Sequence, residues 1–224
     1  PEVGPHLLTA SVLSAPAALL VAKLMLPERG DAATAGRVEL RIERRAGNLI
    51  EAAAQGTTEG LALWLNVIAM LIAFMGLVAL VDGCLQAVSG NSWITVELSL
   101  ARIFGWLFAP LAWLMGVQGW HDCQLFGALL GTKISVNEFV AFSQLHQLQI
   151  AAPGAPRFLD PRSEVLAAYA LCGFANFASI GIQIGGVGAL VPARRAELAA
   201  LGLRAMAGGA LASWMTAAVA GIFV

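Results

Sequence analysis

Glu138 is the side chain in this sequence best placed to do chemistry. It follows Asn137 and sits between two apolar pieces, residues 123–130 and 139–142, neither long enough to cross a bilayer. An ionisable group at membrane depth costs roughly 2.5–3.5 kcal/mol even on the mildest insertion scale, so it faces a cavity, an ion or a partner. A carboxylate there accepts hydrogen bonds from a substrate or carries a proton. The plainer alternative is an interfacial Glu in a loop. Asn176 and Ser179 form a second candidate pair, because residues three apart on one helical turn point the same way. Their plainer role is hydrogen bonding between helices. Phe174 is an aromatic that either stacks on a planar ligand or fills core. Lys133, five residues before Glu138, has two open destinations: a pair with Glu138, or the membrane interface.

Other constellations are weaker. His6, His121 and His146 lie near the edges of apolar runs, where interfacial solvation is expected. Cys84, Cys123 and Cys172 lack a CxxC spacing and read as small apolar core residues. The sequence holds no H-E-x-x-H, nucleophile elbow or P-loop. Gly185-Gly186-Val187-Gly188 has the glycine content of a nucleotide loop, but no strand precedes it. No enzyme chemistry and no cofactor are expected.

The elements that position these residues are membrane elements. The 224 residues are 58% hydrophobic and 12% charged, with a formal net charge of −1. Mean hydropathy is +0.77. A soluble domain is about a quarter charged. These values exclude an ordinary water-soluble enzyme, a disordered chain and a nucleic-acid binder. The lipid bilayer is therefore the expected surroundings. Glycine accounts for 24 residues, a content that transmembrane helices tolerate better than soluble ones. The chain opens at Pro1 without a signal-peptide pattern, and a piece of a longer protein is expected.

Residues 1–26 read as a first transmembrane helix, with Pro16 inside it and Lys23 near its end. Residues 27–59 read as a cytoplasmic loop with a short surface helix carrying Arg37, Arg41, Arg44 and Arg45. Residues 60–82 read as a transmembrane helix, uncharged from 61 to 81, with a turn following at Asp82-Gly83 and Gly90-Asn91. Residues 97–118 carry Trp106 and Trp113, follow Trp93, and read as an interfacial or bent helix, a span interrupted by Arg102, Gly105 and Pro110 being the alternative. Residues 120–148 read as a re-entrant hairpin folded around Gly131-Thr132-Lys133 and Asn137-Glu138. Such backbone survives at membrane depth only against protein or a water-filled cavity.

Residues 165–190 read as a transmembrane helix broken near its centre, where Gly173, Asn176, Ser179, Gly181, Gln183 and further glycines collect. Residues 197–223 read as a final transmembrane helix. Its Ala205, Gly209, Ser213, Ala217 and Gly221 recur every four residues, giving a face that a neighbouring helix can approach closely. Positive charge favours the cytoplasmic side. That places the Arg-rich loop and Arg194-Arg195 inside, the hairpin entering from outside, and the C-terminus outside.

Four stretches carry a family resemblance. Ala168-Tyr169-Ala170-Leu171-Cys172-Gly173-Phe174-Ala175-Asn176-Phe177 resembles the core motif of the concentrative nucleoside transporter family, the NupC-type permeases. Asn137-Glu138-Phe139-Val140-Ala141-Phe142 is similar to its hairpin motif, Ser11-Val12-Leu13-Ser14-Ala15-Pro16-Ala17 to its fifth-span motif, and Thr216-Ala217-Ala218-Val219-Ala220-Gly221-Ile222 to its closing motif. The resemblance runs through essentially the whole chain.

It implies an all-α polytopic membrane protein, one half of an inverted-repeat transporter with re-entrant hairpins and broken helices. It implies a homotrimeric nucleoside symporter of the inner membrane, driven by sodium or protons, with this chain as its C-terminal half. Glu138, Asn176 and Ser179 would bind ribose hydroxyls, Phe174 would line the same pocket, and Asn137 would support them. No metal ligand is expected in this half, because the principal sodium site and the base-binding hairpin would lie in the other. Ala178 stands where some relatives have Ser or Gly. The rival readings are a membrane nucleoside receptor that does not transport, and an inactive fragment.

Overall fold

The computed structural model describes residues 3–28, 30, 47–89, 98–152 and 154–224. Among them the chain forms eight α-helices and no strand. These are α1 (Val3–Met25), α2 (Leu49–Ser89), α3 (Leu100–Leu114), α4 (Trp120–Ser135), α5 (Glu138–Gln149), α6 (Pro161–Leu171), α7 (Phe177–Leu190) and α8 (Arg195–Ala220). A single 3-10 turn, Pro192–Arg194, joins the last two. Gly4–Met25 and Pro192–Ala220 are each long and apolar enough to cross a membrane. The Arg-rich segment with Arg37, Arg41, Arg44 and Arg45 lies outside the described residues, as does Trp93.

The second helix is longer than the sequence implies. It begins at Leu49 rather than at residue 60 and runs through Asp82-Gly83 to Ser89, so no turn forms at that dipeptide, and Gly90-Asn91 lies outside the described residues. Its start has a local cause. The Asn48 side chain accepts from the Glu51 N–H at 2.8 Å, and the Glu51 carboxylate accepts from the Gly47 N–H at 2.8 Å. An Ala-rich run with high helix propensity then carries the helix forward. At the other end, Asp82 does not turn its own backbone. Its Oδ1 accepts from the Leu100 N–H at 2.7 Å and ties α2 to the start of α3. At 1.5 Å per residue the 41 residues span about 60 Å, roughly twice the hydrocarbon thickness of a bilayer.

Helices α4 and α5 form the hairpin. Its turn falls at Val136-Asn137, and α4 continues straight through Gly131-Thr132-Lys133. At the end of α4 the Val136 N–H bonds the Thr132 carbonyl at 2.8 Å, and the Ser135 hydroxyl bonds the Gly131 carbonyl at 2.7 Å. Asn137 then caps α5 by accepting from the Val140 N–H at 2.9 Å. Eleven of the sixteen α4 residues are buried, including Asp122 and Lys133. Glycine makes this possible. A Cβ on Gly127 would collide with the Gly105 carbonyl and lie 2.8 Å from the Ala109 nitrogen, so α3 and α4 touch backbone to backbone.

The expected broken helix is present as α6 and α7. It starts at Pro161 rather than residue 165, because Asp160 caps α6 by accepting from the Arg162 N–H at 2.9 Å and proline occupies the first turn. The break spans residues 172–176, at the upstream edge of the small-residue stretch. Helix α7 runs on through Gly181, Gly185, Gly186 and Gly188. Gly173 opens the break with a φ of +121°, a conformation that L side chains rarely adopt. A Cβ there would also sit 2.8 Å from the Ser213 hydroxyl.

The small stripe on α8 faces this element. Gly209 meets Ala175 and Gly221 meets Leu166, and Gly202, just before the stripe, meets Ile180. At the end of the bundle, Arg162 donates to carbonyls of Gly116, Gly221 and Val224, joining α6 to the ends of α3 and α8. Asp122, 1% exposed, accepts from the Leu159 and Asp160 N–H groups at 3.0 and 3.1 Å and fixes the loop before α6.

Gly127→Ala is expected to destabilise the protein by about 1–3 kcal/mol, because backbone atoms cannot move aside for the added methyl. Thermal unfolding in detergent reads this directly, and an unchanged melting temperature contradicts the close crossing. Asp122→Asn turns one accepting oxygen into an NH2 facing an N–H group. The expected loss is about 1–3 kcal/mol, and proteolysis of the loop at residues 154–160 should rise with it.

Candidate functional site

The hairpin turn and the helix break lie against each other. Glu138 is the first residue of α5, and Asn176 is the N-cap of α7. Asn176 Nδ2 donates to Glu138 Oε2 at 2.8 Å. The other arm of the amide, Oδ1, accepts from the Ser179 N–H at 2.7 Å. Ser179 reciprocates: its hydroxyl accepts from the Asn176 N–H at 3.2 Å and lies 2.6 Å from the Asn176 carbonyl, to which it donates. These bonds fix which way the amide points, since only Nδ2 can serve a carboxylate. Asn176 and Ser179 are buried, at 3% and 7% exposure, and Glu138 is half-buried.

The electrostatics follow from the geometry. Two helix N-termini, those of α5 and α7, converge on one carboxylate, and each carries a positive dipole end. Among the described residues, the second oxygen of Glu138 takes no hydrogen bond, which leaves an acceptor beside the break. This arrangement suits a ligand that donates hydroxyl protons and carries no negative charge.

The structure thus joins three of the expected site residues. The other two are placed differently. Phe174 stands in the unwound segment, 75% exposed, and makes no core contact of the kind the sequence left open. Asn137 spends its side-chain oxygen on the α5 cap, so it supports Glu138 by starting the helix that carries it. Lys133 takes neither destination open to it. It is fully buried and donates to the Ala170 carbonyl at 2.8 Å.

A cavity of about 510 Å³ opens between α1, α7 and α8 beside the break. Phe174 and Ser179 line it, together with Ser14, Gln183 and Ser213, while Glu138 and Asn176 do not. Gln183 was legible: it is a polar side chain one turn beyond Ser179 in an apolar helix. Ser14 and Ser213 carried no such signal, since small hydroxyl residues are common in membrane helices.

Of the histidines, His121 and His146 are exposed and His6 is half-buried. His6 sits edge-on to Tyr169, with ring centroids 5.5 Å apart and Nδ1 3.4 Å from the phenol oxygen. His121 reaches the Arg157 carbonyl at 3.1 Å. Of the cysteines, Cys123 is buried as expected, Cys172 is half-buried at the break and Cys84 is exposed on α2.

Comparison with known proteins places this geometry. A family profile described as the C-terminus of Na+ dependent nucleoside transporters matches residues 6–221. The chain is 42% identical to solute carrier family 28 member 3 of Mus musculus, over 97% of this chain and 32% of that protein. It is 39% identical to the nucleoside permease NupC of Helicobacter pylori, over 98% of this chain and 51% of that protein. A variant of CNTnw solved in an outward-facing state is 37% identical and superposes with a TM-score of 0.83, covering 99% of this chain and 52% of the other. The chain therefore spans between a third and a half of the length of these relatives, which are transporters and permeases rather than enzymes. Its fold is that of a multi-pass membrane transporter, and the chain belongs to the Na+ dependent nucleoside transporter family, matching the C-terminal part of its members.

Proposed function

We propose that the full protein is a nucleoside:cation symporter, and that this chain supplies its ribose-binding half. The observation that carries the reading is the Glu138–Asn176 bond across hairpin and break, with an acceptor oxygen left over at the meeting of two helix N-termini. A ribose diol donates to a carboxylate and both accepts from and donates to an asparagine amide. In the bound state the diol would replace part of the Asn176–Glu138 bond. Phe174, exposed in the unwound segment, is the candidate for contact with the rest of the nucleoside. The base would be read by the other half of the protein.

Transport is by alternating access, with the hairpin and broken helices moving against a scaffold that includes α2. A coupling cation supplies the drive, worth about 2.3 kcal/mol per charge for each 100 mV of membrane potential. The family description favours sodium over protons. On this reading the full protein is a homotrimer of the inner membrane, with the C-terminus outside.

Uptake of labelled uridine into proteoliposomes of the full-length protein tests the reading. It should require a sodium gradient, fail with a proton gradient alone, and be abolished by Glu138→Gln. The glutamine puts an N–H donor where a ribose hydroxyl must donate. Uridine that binds without gradient-driven uptake identifies a receptor instead. Asn176→Ala removes both the α7 cap and the bond to Glu138. Uridine affinity should fall by about 1–3 kcal/mol, and stability by about 1 kcal/mol. Calorimetric titration and thermal unfolding measure the two separately, and wild-type affinity excludes Asn176 from the site.

A further inference from the structure

Lys133 is the charged side chain that the site as described does not use. It lies in the last turn of α4, is fully buried, and aims its ammonium at the carbonyl of Ala170, 2.8 Å away. Ala170 is the penultimate residue of α6. The last four carbonyls of a helix have no partner within it. The Cys172 N–H takes the Tyr169 carbonyl at 3.2 Å, and Lys133 takes the next one. A cation at this end also meets the negative pole of the helix dipole.

Five residues further on, across the hairpin turn, Glu138 takes the N-cap of α7 at 2.8 Å. The hairpin therefore holds both sides of the break, and each charge faces the helix end of opposite polarity. Packing alone does not call for an ammonium here. A methionine would fill a similar space without the cost of burying a charge. The Ala170 carbonyl is what requires a donor.

We propose that Lys133 is a positioning residue for substrate: by holding the end of α6, it sets the width of the unwound segment and so the place of Asn176 relative to Glu138. The proposal rests on the ribose-binding reading of those two residues. A lysine that merely capped α6 would affect stability and leave substrate discrimination alone. A lysine that sets the break would act on the ribose hydroxyls in particular.

The test uses full-length protein and two probes, uridine and 2′,3′-dideoxyuridine, which lacks both hydroxyls. Lys133→Met should weaken uridine roughly tenfold, the size of one charge-assisted bond, and leave the dideoxy compound nearly unchanged. The ratio of the two affinities then collapses toward one. Lys133→Gln keeps an N–H donor without the reach or the charge and should lose part of the ratio. Glu138→Gln is the control. If that variant keeps the wild-type ratio, the ribose reading itself falls. If it loses the ratio while folded Lys133→Met or Lys133→Gln keeps it, only the role of Lys133 is overturned. Failure of both lysine variants to fold assigns Lys133 to structure and also overturns the proposal.

Discussion

The break between α6 and α7 is the constraint on which the rest of this structure depends. Backbone N–H and C=O groups at membrane depth have no water to bond, so an unwound segment survives only if the protein satisfies it. Here both helix ends at the break have named partners for part of their backbone. The end of α6 is met by the Cys172 N–H and the Lys133 ammonium, and the start of α7 by the reciprocal Asn176–Ser179 bonds. The same groups that satisfy the backbone are the ones that build the site. Asn176 caps α7 with its oxygen and reaches Glu138 with its nitrogen, so structure and recognition use opposite arms of one amide.

Holding such a break steady demands close packing around it. Glycine supplies that on two sides. Gly105 and Gly127 bring α3 and α4 into backbone contact, which seats the hairpin. Gly202, Gly209 and Gly221 bring α8 against α6, the break and α7. In a membrane, such contacts rest on van der Waals packing rather than on expulsion of water, so small residues matter more than apolar ones. Asp122 and Arg162 add polar ties at the end of the bundle, binding the loop before α6 and the ends of α3 and α8. The hairpin and broken helix are joined through Lys133 and Glu138, while α1 and the long α2 leave many apolar side chains exposed.

Composition and hydropathy by themselves determined that this is a helical membrane chain, because a mean hydropathy of +0.77 with 12% charge leaves no water-soluble solution. The uncharged runs located the apolar helices, since burial in lipid needs length and apolarity, both of which are written in one dimension. The order of motifs pointed to the family, and the out-of-place Glu138 and Asn176 pointed to the site.

Tertiary structure alone decided the rest. Local sequence could not show that Asp82 would leave the helix running and reach Leu100, or that the α4 helix would pass through Gly131-Thr132-Lys133 to turn at Val136. Nor could it choose between two destinations for Lys133 when the actual partner was a carbonyl 37 residues away. Glu138 and Asn176 are 38 residues apart, and only folding shows that the amide takes one carboxylate oxygen while the other has no hydrogen bond among the described residues. The physical reason is common to all of these. Helix formation and membrane partition are local and additive along the chain, whereas the pairing of a buried polar group depends on which distant donor or acceptor the packing brings within 3 Å.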